Sequence, residues 1–381
     1  MNKKDVNEIR RRFRADRSNI THLYGCYVNA EKEIIARLDE SMGLLQKEES
    51  EKYLSILKKT LSGTLGRNLV DISFATRQVM DSDEHRLLTA LRKSELQDEE
   101  AREKFYQQVM ATLNMESENY LILLAADSYD VPHRGKDGEF RAEEGAEVYR
   151  YFVCCICPVK SGKGGLGYDS EESRFRSLSA GQLINAPELG FLFPAFDERS
   201  TNIYGALYYS RSGKANHQEF VDGIFRTEPP MSAETQKETF HSVLSDSLER
   251  EGSFALVRDV HEKLSERIAL HKESRDPEPL TMSLEEMDDV LGECGMSEEK
   301  REQFRERCEK EFGEDSVLRP GNLVSPSRME IETPEIHIRL DTQFAELIKT
   351  RTIDGRKYLL IPADAGVEIN GISVNLPAEN E

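Results

Sequence analysis

A glycine-rich stretch, KGGLGYD at residues 163–169, is the first segment whose residue types and spacing could do chemistry. Phosphate-binding loops share its glycines, but they also need a lysine that neutralises the phosphoryl group and a hydroxyl that holds magnesium. Here Tyr168 stands at the lysine position and Asp169 at the hydroxyl position. The sequence therefore predicts a hairpin connection between strands and no nucleotide site. The anion-binding candidates in this stretch are Lys160, Lys163 and Gly164.

The same glycines also match the dinucleotide pattern G-x-G-x-x-G, at Gly162, Gly164 and Gly167. A dinucleotide fold needs a long helix directly after this turn. The residues that follow, YDSEESRFRSLSAGQL, do not have the amphipathic pattern of such a helix. We therefore expect no cofactor at these glycines.

An acidic segment, DSYDVPHRGKDGE at residues 127–139, gathers three aspartates, a glutamate and a histidine. Carboxylates and an imidazole can hold a metal or transfer protons. The catalytic candidates are Asp127, Asp130 and His133. The alternative is a solvated loop that follows a strand.

Three cysteines crowd one predicted strand, at Cys154, Cys155 and Cys157. A structural zinc site usually takes four ligands from two well-spaced pairs, and no second CxxC exists. Strand alternation puts Cys155 and Cys157 on one sheet face and Cys154 on the other. We therefore expect buried thiols in a sheet core and no metal.

The N-terminal segment is the one basic cluster that the sequence shows, and it is set in an acidic chain with a net charge of -20. Its cations are Lys3, Lys4, Arg10, Arg11, Arg12, Arg14 and Arg17. The candidates for contact with nucleic acid or an acidic partner are Arg10, Arg11, Arg12 and Arg14. The alternative is a helix that lies against its own acidic body. The net charge disfavours nucleic acid as a partner.

The elements around these residues predict an α+β protein. Most β-branched and aromatic runs in the middle of the chain, such as NYLILLAAD and LGFLFPAF, are separated by turn clusters and not by long helices. This favours a central antiparallel β-sheet with flanking helices, a helical region and a small C-terminal β segment. The predicted regions are 1–115, mixed helix and strand; 116–225, the sheet core; 226–315, helical; and 325–381, the C-terminal β segment.

Local signals define two hairpins. Ser283 and Glu286 form a capping box that starts an acidic helical hairpin over residues 283–312, turning at Gly295. Asp354 and Gly355 predict a tight β-turn in the C-terminal segment. No apolar run approaches the roughly 20 residues of a membrane span, and the charged N-terminus lacks an apolar signal core. We therefore expect a cytoplasmic protein without membrane association.

Several stretches together resemble one bacterial family. These are MNKKDVNEIRRRF, LKKTLSGTLGRNLVDISF, PELGFLFPAFDERSTNIYGALYY, PMSAETQKETF and TRTIDGRKYLLIPADAGVEINGI. They look like domain-of-unknown-function family 4317, which is found mainly in Gram-positive anaerobes. The resemblance implies a cytoplasmic bacterial protein and brings no activity or catalytic residues. The segment PEIHIRLDTQFAEL is also similar in layout to the tail of the 37-kDa nucleoid-associated proteins.

We expect a non-catalytic cytoplasmic binding or scaffolding protein with an unknown protein partner. Its expected contact elements are the N-terminal helix and the helical hairpin. One alternative is a nucleoid-associated protein that contacts nucleic acid, for which a basic face contiguous with Arg10 to Arg17 would be evidence. The other is a hydrolase or metal-dependent enzyme that uses the Asp127–Glu139 loop, for which a cavity lined by those carboxylates would be evidence.

Overall fold

The chain forms two compact units, residues 1–235 with 277–279 and residues 236–276 with 280–381. The computed structural model describes residues 1–113, 115, 118–134, 140–141, 148–178, 181–213, 217–227, 231–248, 253–313, 317–364, 366–369 and 372–374.

The first unit holds a sheet flanked by helices. Its helices are α1 Lys3–Arg10, α2 Lys47–Lys59, α3 Thr76–Asp81, α4 Asp83–Lys93, α5 Glu99–Thr112 and α6 Gln218–Phe225. Its strands begin with β1 His22–Val28, β2 Ile34–Ser41, β3 Leu69–Ser73, β4 Tyr120–Asp130, β5 His133–Arg134, β6 Phe140–Arg141 and β7 Val148–Gly162. They continue with β8 Gly165–Asp169, β9 Arg174–Leu178, β10 Gly181–Ile184, β11 Leu189–Phe193, β12 Ala195–Asp197, β13 Ser200–Asn202 and β14 Gly205–Ser210.

Ten of these strands make one antiparallel sheet, which confirms the predicted fold class. Seven of them lie in the order β2-β1-β4-β7-β10-β8-β9. The other three branch from β7, because β11 pairs with both β7 and β14, and β14 also pairs with β3. Strands β1 to β3 therefore lie in the same sheet as the strands of residues 116–225. The long strand β7 pairs with β4 along one edge and with β11 and then β10 along the other.

The two faces of β7 bury two separate cores. Phe152, Cys154 and Ile156 join one cluster, which includes apolar side chains of α4, α5 and α6. Cys155 and Cys157 join the other, which includes side chains of α1 and α2. The predicted split of the three cysteines between the faces is thus confirmed, because side chains alternate along a strand.

The second unit is helical, with a core of its own. Its helices are α7 Ala233–Leu248, α8 Phe254–Ser274, α9 Leu284–Glu293, α10 Glu298–Phe312 and α11 Pro320–Leu323. The first turn of α7 belongs to the first unit. The predicted capping box of Ser283 and Glu286 is present at the start of α9. The rings of Phe240 and Phe304 pack edge to face, with centroids 5.9 Å apart, and join α7 to α10.

Three separate two-stranded ribbons follow the helices. Their strands are β15 Met329–Glu332, β16 His337–Leu340, β17 Lys349–Ile353, β18 Arg356–Leu360, β19 Val367–Ile369 and β20 Ile372–Val374, with a 3-10 helix at Thr342–Leu347. The predicted turn joins β17 to β18, with positive φ angles of 48° at Asp354 and 76° at Gly355. Such angles favour the Asp-Gly pair in a tight hairpin turn. Among the described residues, no helix has the length and apolar character needed to cross a bilayer.

The burial of the thiols leads to a prediction about their reactivity. Five of the six cysteines are buried, and only Cys294 is partly exposed. Burial raises the pKa of Cys154 and Cys157 well above the ordinary thiol value, and the thiolate is the reactive form. We expect a thiol reagent at pH 8 to modify about one cysteine in the native protein and six after denaturation. The Cys294→Ser variant should lose the native reaction. Rapid native labelling of Cys154, Cys155 or Cys157, mapped by mass spectrometry, would contradict the burial.

Candidate functional site

A basic pocket of about 410 Å³ lies where the N-terminal segment meets the end of β4 and the turn after β12. Its lining residues are Lys4, Asn7, Glu8, Arg11, Arg12, Arg17, Tyr129, Pro132 and Arg199. Five of them carry a positive charge and one carries a carboxylate. We call this set the basic pocket.

Helix α1 places three of these side chains by its periodicity. Asn2 caps the helix by accepting hydrogen bonds from the backbone N–H groups of Lys4 and Asp5. Val6 and Ile9 are buried against the sheet, which fixes the rotation of the helix. Lys4, Glu8 and Arg11 then recur on another face, because residues four and three apart are neighbours on a helix.

Arg199 enters the pocket from a turn of unusual backbone geometry. Glu198 and Arg199 have φ angles of 48° and 65°, in the left-handed region that side chains rarely adopt. The Arg199 guanidinium donates to both carboxylate oxygens of Glu8, at 2.7 and 2.6 Å, and to the Pro132 carbonyl at 2.8 Å. The Tyr129 hydroxyl donates to the same Glu8 carboxylate at 2.7 Å. Glu8 therefore holds Arg199 and Tyr129 in place.

Arg12 is held more loosely. Its guanidinium lies 3.5 Å from the Asp127 carboxylate and 3.4 Å from the Ser128 carbonyl, which are long hydrogen bonds. It also stacks over the Tyr129 ring, 5.0 Å from the centroid. Its Nε atom is buried and makes no hydrogen bond. Arg12 is thus oriented while part of its donor capacity stays unused.

Asp127 lies beneath the pocket and does not line it. Its side chain is 1% exposed, and it accepts hydrogen bonds from the Asn19 backbone N–H at 3.0 Å and the Tyr151 hydroxyl at 2.9 Å. Burial raises its pKa, while the Arg12 charge and these hydrogen bonds act in the opposite direction. Asp127 therefore anchors the segment that carries Arg12 and Asn19 to the sheet.

The other catalytic candidates are not brought together around the pocket. Asp130 is exposed at the end of β4, and the backbone of His133 pairs with Arg141 in a short ribbon. Asp137 and Glu139 lie outside the described residues. The segment contributes Tyr129 and Pro132 to the pocket, and neither Asp127 nor Asp130 is among the described lining residues.

The predicted basic residues divide into two groups. Arg11 and Arg12 line the pocket, with Lys4 and Arg17 beside them. Arg10 is partly buried outside the lining, and the exposed Arg14 pairs with Asp16 at 3.0 Å. Sequence reasoning missed Arg199, since only the folded chain brings it to α1. Its one local signal was the run Asp197-Glu198-Arg199-Ser200, which resembles a turn.

The glycine stretch is a crossover between strands and not the predicted hairpin. It joins β7 to β8, but β10 lies between these two strands in the sheet. A Cβ on Gly167 would lie 2.3 Å from the Gln182 carbonyl, and one on Gly162 would lie 2.7 Å from the Leu183 side chain. These glycines are therefore explained by the close approach of β10.

Side chains around this crossover have structural partners. Lys160 pairs with Glu118 at 2.7 Å, and Asp169 accepts from two backbone N–H groups of the following turn and pairs with Arg176. A strand follows the glycines where a phosphate loop would have a helix. Lys163 is exposed, and Gly164 has a φ of 79°. Anion binding by Lys160, Lys163 and Gly164 stays a prediction.

Comparison with known proteins gives one match. A family model described as "Domain of unknown function (DUF4317)" matches residues 1–372. No curated protein and no solved structure matches the chain. The similarity of the tail to the 37-kDa nucleoid-associated proteins has no support from these comparisons.

The packing of Gly167 predicts a large effect of a small substitution. The Gly167→Ala variant should lower the free energy of unfolding of the first unit by about 1–3 kcal/mol, because the added methyl meets a backbone carbonyl. Gly43→Ala is a suitable control, since its nearest neighbour would be 3.9 Å away. Urea denaturation followed by circular dichroism measures both. Equal stability of the two variants would show that β10 does not approach as described.

The buried Asp127 predicts a pH-dependent difference between two variants. Asp127→Ala should cost about 3 kcal/mol, because it leaves the Asn19 N–H and the Tyr151 hydroxyl without an acceptor. Asp127→Asn keeps an acceptor and should cost about 1 kcal/mol. Asp130→Asn, on the same strand but exposed, should change stability by less than about 0.5 kcal/mol.

The pH profile follows from the raised pKa. A carboxyl whose pKa is raised in the folded state stabilises the fold most when it is protonated. Its contribution to the free energy of unfolding therefore falls as the pH rises from about 4 through the folded pKa. The stability of the wild type should therefore fall relative to Asp127→Asn over that range. A wild type that instead gained stability relative to Asp127→Asn as the pH rose would contradict the assigned direction.

Proposed function

This chain belongs to the DUF4317 family, and from its own geometry we propose that it is a binding protein whose basic pocket takes a small polyanion bearing phosphate groups. The observation that carries the proposal is the charge balance of the pocket. Five cations face one carboxylate, although the chain as a whole has an excess of acidic residues. A concave site lined by one sign of charge focuses the field and concentrates ligands of opposite charge.

Two of the cations have no partner among the residues that the structure describes. The side chains of Lys4 and Arg11 are exposed and form no hydrogen bond or ion pair with any described residue. The one pocket carboxylate, that of Glu8, is already occupied by Arg199 and Tyr129. These unpaired charges support an anionic ligand, because no acidic side chain of the pocket remains to balance them.

The shape and the chemistry of the donors favour a compact phosphate ligand. A volume of about 410 Å³ lies within the range of small-molecule sites. Guanidinium groups present paired N–H donors that match phosphate oxygens. Arg12 and Arg199 are held by Asp127 and Glu8 before any ligand arrives, so less side-chain entropy is lost on binding.

Binding, and not catalysis, is the role that these groups support. The pocket presents lysine and arginine side chains and a carboxylate that two donors already engage. The catalytic candidate Asp127 is 1% exposed and faces Arg12 and Tyr151. We also propose a cytoplasmic location, because all six cysteines are free thiols, as expected in a reducing compartment.

Calorimetric titration with inorganic tripolyphosphate tests the pocket. We expect saturable binding that weakens by more than about 100-fold in the Lys4→Ser, Arg11→Ser double variant, since each lost hydrogen bond to a charged group costs about 1.5–3 kcal/mol. The matched control is Lys3→Ser, Arg14→Ser, which removes the same charge from the same segment outside the pocket lining. The control should bind as tightly as the wild type.

Three results would overturn this proposal. One is the absence of tripolyphosphate binding at millimolar concentration in low salt. Another is equal weakening by the two double variants, which would indicate a diffuse charge effect and not a pocket. The third is binding of a single-stranded oligonucleotide through Lys4 and Arg11 without binding of tripolyphosphate, which would make this surface a nucleic-acid contact.

A further inference from the structure

The second unit carries a basic surface that sequence reading did not identify. The ribbon of β17 and β18, residues 349–360, holds four cations within nine residues, at Lys349, Arg351, Arg356 and Lys357. We call it the basic hairpin. The N-terminal segment is therefore not the one basic cluster of the chain, because strand pairing brings these four charges together.

The register sorts the side chains of the basic hairpin onto two faces. Arg351 lies opposite Tyr358, and Ile353 lies opposite Arg356. Lys349 shares their face, because side chains two residues apart on a strand point to the same side, about 7 Å from one another. One face thus combines three cations with the Tyr358 ring and the Ile353 side chain. Lys357 lies on the other face, opposite Thr352.

No described part of the chain covers this face. All five residues of β17 are exposed, as are Arg356, Lys357 and Tyr358. None of the four cations forms an ion pair or a side-chain hydrogen bond with a described residue. Asp354, at the turn, is the only acidic residue between positions 349 and 360. The tyrosine is 42% exposed and the isoleucine 45%.

We propose that the basic hairpin binds single-stranded nucleic acid, with its cations on the phosphates and the Tyr358 ring stacked on a base. Its residues differ from those of the basic pocket, and the proposal does not depend on the function proposed there. Proteins that bind single-stranded nucleic acid combine cations with exposed aromatic rings. Every base offers a flat face for stacking, and every phosphodiester linkage carries a negative charge.

An acidic peptide is the main alternative occupant, and the apolar part of the face disfavours it. Carboxylates would satisfy the cations but would leave the Tyr358 ring and Ile353 facing charged groups. A nucleotide base can cover the ring while the phosphates on either side of it reach Arg351 and Lys349, which lie on the same face. Stacking contributes about 1–3 kcal/mol per base.

The net charge of -20 sets the conditions for binding and does not prevent it. The Debye length is about 8 Å at physiological salt, so the repulsion of distant carboxylates is screened at the hairpin. Phosphate contacts by the three cations of this face predict a slope of about -2.1 in the logarithm of affinity against the logarithm of salt concentration. Affinity should therefore fall roughly 20-fold between 50 and 200 mM salt.

Fluorescence anisotropy with a labelled 20-nucleotide oligo(dT) tests the basic hairpin in the full chain. The variant Lys349→Ser, Arg351→Ser, Arg356→Ser, Lys357→Ser should lose binding and its salt dependence. The matched control is Lys3→Ser, Arg14→Ser, Arg77→Ser, Lys104→Ser, which makes the same change in net charge at exposed positions outside the basic pocket. The control should bind like the wild type, with the same salt slope.

A second variant separates stacking from charge. Tyr358→Leu keeps every cation and should weaken binding about tenfold while leaving the salt slope unchanged. Because these side chains are exposed, both hairpin variants should melt at the wild-type temperature, which calorimetry checks.

The proposal would be overturned by several outcomes. Absence of binding at 50 mM salt would reject it, as would equal losses in the two quadruple variants. Tighter binding of a duplex of the same sequence would reject the single-strand assignment. Tighter binding of poly-glutamate than of oligo(dT) would show that the face recognises acidic protein.

Discussion

The structure depends on one constraint that concerns the strand Val148–Gly162. This strand needs hydrogen-bonding partners along both edges and apolar packing on both faces. Its backbone pairs with three other strands, and its side chains supply both cores of the first unit. Pairing with β4 in one continuous register of eleven residue pairs sets Tyr151 opposite Asp127. That pairing lets the tyrosine hydroxyl and Arg12 share one buried carboxylate, so the central strand positions a residue of the N-terminal segment.

The basic pocket shows how an acidic protein can keep a concentrated positive charge. Asp127 and Glu8 each hold an arginine by direct contact, which orients the cation without adding a free negative charge to the pocket. The basic hairpin uses the opposite arrangement, because its cations are exposed and pair with no described side chain. A preorganised site favours a compact ligand of defined shape, whereas a hydrated ribbon favours a flexible chain.

Features set by neighbouring residues could be predicted from the sequence, and features set by distant contacts could not. The Ser283 capping box, the Asp354-Gly355 turn and the cysteine alternation depend on residues within a few positions of one another. Arg199 reaches α1 only through the sheet, so no local pattern marks it. The glycines near 164 looked like a ligand loop because close approach of a ligand and close approach of β10 demand the same absence of a side chain.

The placement of β10 between β7 and β8 also constrains the order in which the chain can fold. When residues 148–169 leave the ribosome, the edge of β7 at residues 159–162 has no partner, because its partner is made about twenty residues later. Pairing β7 directly with β8 would be faster, since the loop is shorter, but that pairing must be avoided or undone. Gly164 and Gly165 lie where the chain leaves β7 for β8, and β10 enters the sheet between these two strands. This crossover therefore bears on how the sheet is assembled as well as on how it is packed.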